Sequence, residues 1–263
     1  MKLPLYQIDA FTNHIFGGNP ACIVPLEAWL PDATLLNIAK ENAVAETAFF
    51  IPLSNGNYHL RWFTPEIEMD LCGHATLATA HYLKVIAGSY ESELVFETPS
   101  GHLKVSEDNG WYTMDLPSRM PEPASLPTVV GEALSQQPKA VFKSRDYVLV
   151  YETEQEVRQM EVDKGILDKI NLDPGGVIVT AAGEDCDFVS RFFTPQASIL
   201  EDPVTGSAHC SLVPYWEAQL GKSRLVARQI SERGGFLKCE NLPDRVLLSG
   251  QARTYSEGII WVD

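Results

Sequence analysis

The chain has 263 residues, 45% hydrophobic and 21% charged, which supplies apolar material for a sizeable core and excludes a disordered chain. With 35 acidic against 20 basic residues the net charge is −15, and no Lys/Arg-rich run occurs, which excludes nucleic acid and anionic membranes as partners. An anionic ligand would have to be held locally, by backbone donors and a few side chains.

The first residues, MKLPLYQIDAF at 1–11, alternate like a strand and lack the apolar core of a signal peptide. No apolar run approaches the ~20 residues of a membrane span. The five cysteines (Cys22, Cys72, Cys186, Cys210 and Cys239) are odd in number, widely spaced and without a CxxC pair, so they read as free thiols of a reducing compartment. A cytoplasmic protein is expected. Further on, AETAFFIPL (45–53) and YHLRWF (58–63) predict strands, and GHATLATAHYLK predicts a helix from Gly73 to Lys84. ELVFETP and WYTMDLP predict two more strands before a proline-rich crossing at 116–127, the natural linker. Beyond it, YVLVYE, GVIVTAA and DFVSRFF predict strands. A second helix is expected from Gly206 to Leu220, with Gly221 as its stop and Pro214 kinking it or loosening its first turns, before a strand at RVLLSG.

Three words recur in order. RWFTP at 61–65 returns as RFFTP at 191–195, Gly73-His74-Ala75 as Gly206-Ser207-Ala208, and GHLKV at 101–105 as GFLKC at 235–239. The offsets are 130, 133 and 134, about half the chain, which indicates a duplicated domain. The halves are placed at 1–118, with the final strand 254–263 as a candidate addition, and at 119–253. Both helices are rich in Ala, Thr, Cys and Leu nearly all round and so are expected to be buried. Many strands about one buried helix per half predict an α+β fold. The three extra residues before Gly206 are read as Glu201-Asp202-Pro203, placing an acid at that helix start where the first half has Cys72.

Helix starts have unpaired N–H groups and a positive partial charge, which ordinary helices meet with Asp or Glu in the first turn. No acid lies between Gly73 and Ser89, or between Gly206 and Trp216. One such start would do no more than accept loop carbonyls or water. Two at equivalent repeat positions read as a site gripping a small anionic substrate at the domain interface. Glu46 is the only charge between Glu41 and Arg61. Flanked by Ala and Phe, it is either a desolvated carboxylate of raised pKa, suited to moving protons, or an exposed helix-to-strand junction. Asp202 could serve the site or merely cap the helix, and its neighbour Glu201 is expected to be solvated. His74 and Ser207 occupy matching positions after the two glycines. His81, His209 and Cys210 read as packing or local hydrogen bonding. Cys72 with His74 is a thiolate or ligand candidate, but no second Cys/His pair of metal spacing and no HExxH occurs, so no metal is expected. Neither GxGxxG nor a phosphate loop is present, and no nucleotide cofactor is expected. Nothing resembles GxSxG, so Ser207 lacks a hydrolase context.

IDAFTNHIFGGNPACIV, AVAETAFF, RWFTPEIEMDLCGHATLATAH and LEDPVTGSAHCSLVPYW, together with RQISERGGFLK, resemble the PhzF (phenazine-biosynthesis-like) isomerase family along nearly the full chain. The resemblance implies the diaminopimelate epimerase-like fold, two pseudo-symmetric domains each with a sheet wrapped round a central helix. It implies a cofactor-free isomerase, like the member that isomerises trans-2,3-dihydro-3-hydroxyanthranilate by moving a proton from carbon 3 to carbon 1. The essential glutamate of that member matches Glu46, and its histidine, aspartate and serine match His74, Asp202 and Ser207. The N–H groups around Gly73, Thr205 and Gly206 would hold the substrate carboxylate, and Asn19 would line the pocket. The family allows a homodimer, which no residue pattern here shows. The epimerase relatives use two cysteines. Cys72 matches the first and EDPVTG lacks the second, so two-cysteine racemisation does not transfer. A Cys72-dependent epimerase and a non-catalytic small-molecule binder stand as alternatives to the isomerase.

Overall fold

A computed structural model describes residues 1–172 and 175–263. The chain divides into two compact units, Met1–Asp115 with Ser249–Asp263, and Leu116–Leu248. The sequence boundaries at 118/119 and 253/254 lie a few residues from these.

The first unit runs β1 (Lys2–Ala10), β2 (Asn19–Pro25), α1 (Asp32–Asn42), β3 (Glu46–Pro52), β4 (Tyr58–Phe63), β5 (Glu68–Met69), α2 (Gly73–His81), β6 (Glu93–Thr98), β7 (Gly101–Asp108) and β8 (Trp111–Pro117). The second holds β9 (Glu122–Pro123), α3 (Thr128–Ala133), β10 (Ala140–Lys143), β11 (Tyr147–Val150), α4 (Glu154–Arg158), α5 (Lys164–Leu167), β12 (Val177–Ala182), β13 (Phe188–Phe193), β14 (Glu201–Asp202), α6 (Gly206–Leu220), β15 (Arg224–Gln229), β16 (Gly235–Asn241) and β17 (Arg245–Gly250). Strands β8 and β17 each run across a unit boundary, and the chain returns to the first unit with β18 (Ala252–Trp261).

The two units repeat one pairing pattern. In the first, β2 lies parallel to β3, β3 antiparallel to β4, β4 parallel to β6, and β6 antiparallel to β7. In the second, β11, β12, β13, β15 and β16 follow the same alternation. Each parallel step needs a crossover, and α2 and α6 supply the equivalent one in each unit. The first sheet is extended on one side by β1 and β18, both antiparallel. All nine residues of α2 are buried, as are ten of the residues of α6, which agrees with apolar residues on every face. This is an α+β, diaminopimelate epimerase-like architecture.

The repeated words are repeated contacts. Arg61 of RWFTP lies over the Phe63 ring at 5.1 Å and pairs with both oxygens of Glu68 on β5. Arg191 of RFFTP lies over Phe193 at 5.0 Å and pairs with both oxygens of Glu201 on β14. Glu201 is therefore engaged rather than solvated, and the expectation is corrected, because the guanidinium fork matches a carboxylate bidentately.

One helix end differs from expectation. The α-helical part of α2 stops at His81 and continues as a π-helical turn over Tyr82–Ile86, closed by the Ala87 N–H on the Tyr82 carbonyl. Pro214 does not break α6. It has no N–H to give the Cys210 carbonyl four residues back, and the Arg119 N–H takes that carbonyl instead at 2.8 Å. Gly221 ends the helix at φ +69°, as expected. Helix α1 and strand β15 are additions that the sequence patterns do not announce. Among the described residues no helix is long and apolar enough to cross a membrane.

Candidate active site

In the first unit, parallel pairing brings the starts of β2 and β3 side by side, with Ala21 opposite Glu46. Asn19 opens β2, Glu46 opens β3, and His74 is the second residue of α2. Glu46 Oε2 lies 3.1 Å from His74 Nε2, and the two side chains are 14% and 4% exposed. Glu46 does begin a strand after a helix, but it is largely enclosed. On the other edge of the ring, Nδ1 lies 3.1 Å from Asn19 Nδ2 and 3.6 Å from Cys72 Sγ. The structure thus assembles Asn19, Glu46, Cys72 and His74 into one cluster.

Burial alone would pull the His74 ring down. The neighbouring Cys72 and Glu46 offset this and raise it well above the ordinary histidine value. Cys72 itself is pushed up to about 11, by burial first and then by the Glu46 charge, so in neutral solution it is an uncharged thiol.

Cys72 is the N-cap of α2 and offers no side-chain cap, and the first turn holds no acid. Thr76 Oγ1 instead returns to the Cys72 carbonyl at 2.6 Å. One donor atom each from Glu46, Cys72 and His74 lies within 4.8 Å of the others, a set able to hold a soft divalent ion. The carboxylate and the sulfur, however, sit against opposite nitrogens of the ring, so an ion on either nitrogen's lone pair is turned away from the other partner.

The second unit builds a related corner. Thr205 is the N-cap of α6, again without a side-chain cap on the helix and with no acid in the first turn. Its Oγ1 donates to Asp202 Oδ2, and its N–H donates to Gln229 Oε1 at 2.8 Å. The Gln229 amide nitrogen donates to the Asp202 carbonyl at 2.7 Å, and His209 Nδ1 holds the Thr205 carbonyl at 2.9 Å. Asp202 and Thr205 are thereby locked into one turn, with Gly206 and half-buried Ser207 next in the helix.

Strand pairing corrects the equivalence read from sequence. Phe63 pairs with Glu68 and Trp62 with Met69, as Phe193 pairs with Glu201 and Phe192 with Asp202. Asp202 thus corresponds to Met69, and Thr205 to Cys72. The three extra residues fall between Thr194 and Glu201, in the loop before β14. Gln229 is a residue that sequence reasoning misses, although a legible signal exists. On β15 the inward positions are Leu225, Ala227 and Gln229, and a polar residue on the core side of an alternating strand needs a partner. His81 and His209 prove to be structural. His81 bridges Tyr112 at 3.0 Å and Thr254 at 3.1 Å.

Residues 8–258 match the family of phenazine biosynthesis-like proteins. An uncharacterised isomerase of Pseudomonas aeruginosa is 45% identical over 260 residues, 99% of each chain. The crystal structure of a PhzF-family phenazine biosynthesis protein from Enterococcus faecalis is similar at a TM-score of 0.93 and 43% identity, covering 100% of both chains. A hydroxyproline epimerase from Agrobacterium vitis shares the fold at 10% identity, with a TM-score of 0.66 over 98% of this chain and 92% of that one.

Proposed function

Because the chain belongs to the phenazine biosynthesis-like family and is an isomerase, we propose that it moves a proton on a small carboxylate-bearing substrate without a cofactor, with Glu46 as the general acid/base. One observation carries this reading: a largely enclosed carboxylate lies 3.1 Å from a buried histidine that sits at a helix start lacking its own acid.

The chemistry follows from that corner. A carbon-bound proton next to a carboxylate or carbonyl group is weakly acidic, and its removal leaves negative charge on the substrate. Glu46, 3.1 Å from His74, takes that proton and returns it at another carbon. Proton transfer by a positioned side chain contributes about 10²–10⁴ in rate. Backbone N–H groups around Gly73 and Gly206 are proposed to contribute to substrate binding. The Thr205 N–H is given to Gln229 and its hydroxyl to Asp202, so its part is to hold the turn that opens α6 at Gly206. Asp202 and Ser207 are proposed to orient the substrate and relay protons, and Asn19 stands behind His74.

The test is deuterium wash-in. Candidate cyclic amino and hydroxy acids are incubated in D2O with native protein and with Glu46→Gln. For a substrate the native protein turns over, exchange should fall by about 10²-fold or more in the variant. Equal exchange in both would remove Glu46 from the role of base. Tight binding with no chemical change in any bound compound would favour the binder reading instead.

A further inference from the structure

Asn19 is fully buried at the first position of β2, and its carboxamide nitrogen faces His74 Nδ1 at 3.1 Å. A carboxamide N–H only donates. Nδ1 must therefore accept in this arrangement, which places the single proton of a neutral ring on Nε2, 3.1 Å from Glu46 Oε2. A doubly protonated ring would need the carboxamide to turn its oxygen toward Nδ1. Either way the polar contact on Nε2 is the Glu46 carboxylate, and the contact that changes is the one Asn19 makes. The titratable groups against the ring are Glu46 from β3 and Cys72 from the entry to α2, the latter 3.6 Å from Nδ1.

Resting on the reading of Glu46 as the acid/base, we propose that Asn19 is a positioning residue that makes Nδ1 the nitrogen through which His74 gains and loses its proton, keeping Nε2, 3.1 Å from the Glu46 carboxylate, protonated in both charge states. The consequence for the reaction is directional. With Nε2 always protonated, the ring has no lone pair facing Glu46, so it cannot take the proton that Glu46 removes from the substrate. That proton stays on the second carboxylate oxygen, Oε1, ready to be returned. Asn19 would thus act through His74 rather than on the substrate.

The experiment reads ring nitrogens in the resting protein. Uniformly 15N-labelled protein is followed by long-range 1H–15N correlation across the pH range in which it stays folded, with His74→Gln identifying the signals. The expected result is an Nε2 that keeps the shift of a protonated nitrogen throughout, and an Nδ1 that shows the unprotonated shift once the ring is neutral. A neutral ring with its proton on Nδ1, or a ring doubly protonated at every pH, would overturn the proposal. In Asn19→Asp an ionised carboxylate can only accept, so Nδ1 should stay protonated where the native Nδ1 has lost its proton. A native pattern in that variant would also overturn it. Should Asn19→Asp not fold, the native spectrum decides alone. Since no substrate is involved, a wrong tautomer sinks this proposal and leaves Glu46 as base untouched. Undiminished exchange in Glu46→Gln does the reverse.

Discussion

Cys72 shows how a single position can look reactive in a sequence and be quiet in a fold. It lies next to Gly73 and two residues before His74, a spacing that suggests an activated thiolate. Burial and the Glu46 charge instead hold its proton up to about 11, whereas a reactive cysteine needs a lowered value. An epimerase base at this position would have to ionise against both. Cys72→Ala should therefore keep its deuterium exchange within a few-fold of native, while Glu46→Gln loses it. Abolished exchange in Cys72→Ala, with the fold intact by circular dichroism, would restore the cysteine mechanism. The roles of Glu46 and His74 are approachable from their words alone, because an isolated charge among apolar residues and a polar residue after a helix-opening glycine are local signals. Asn19 and Gln229 are harder to place. The partner of each lies 55 or 24 residues away, and only strand pairing brings them to His74 and Thr205.

At the scale of elements, the duplicated arginines make related contacts of different strength. Arg61 adds Asp32 to its Glu68 pair, but Asp32 is 76% exposed and its share is small. Arg191 adds three backbone carbonyls at the end of α4, with the Met160 carbonyl at 2.7 Å. Removing it leaves a carboxylate and helix-end carbonyls without their donor. Arg191→Met should lower the stability of the protein by about 2 kcal/mol, and Arg61→Met by less, in paired urea titrations. An equal loss would mean that the carbonyl contacts add nothing. The recurrence of Arg-x-Phe-Thr-Pro is legible because the word acts locally: its arginine pairs and stacks on its phenylalanine, and its Thr-Pro turns the chain. The position of the loop insertion is not, since an offset that grows from 130 to 133 between Thr194 and Gly206 can be placed anywhere between them until strand pairing fixes it. Strand β15 escapes notice because its outward positions are Arg224, Val226 and Arg228, which dilute its apolar signal. The carbonyl that Pro214 leaves without a helical donor is taken by the Arg119 N–H, a partner from a distant part of the chain that no local pattern announces.

For the molecule as a whole, two buried histidines outside the site set an acid limit. Burial lowers both His81 and His209 to about 4 from the ordinary 6.5. Between those values the unfolded chain binds protons that the folded chain refuses, so stability falls as the pH drops through that window and levels off below it. Each ring accounts for about 3 kcal/mol of that fall. Buried Asp146, raised by its own burial, works in the opposite sense, so the comparison is best made by difference. Urea midpoints from pH 7 down to pH 4 should decline less steeply in His81→Gln and in His209→Gln than in the native protein. Parallel profiles would show that neither ring resists protonation. One feature of the chain path bears on how this molecule is made. Strand β1 is completed on one side by β18, from Lys2 opposite Trp261 to Ala10 opposite Ala252, so the unit translated first is the one closed last. During synthesis residues 116–248 emerge as an uninterrupted stretch while β1 waits with an unpaired edge. The half that carries Glu46 and His74 is complete only once residues 252–261 have been added to it.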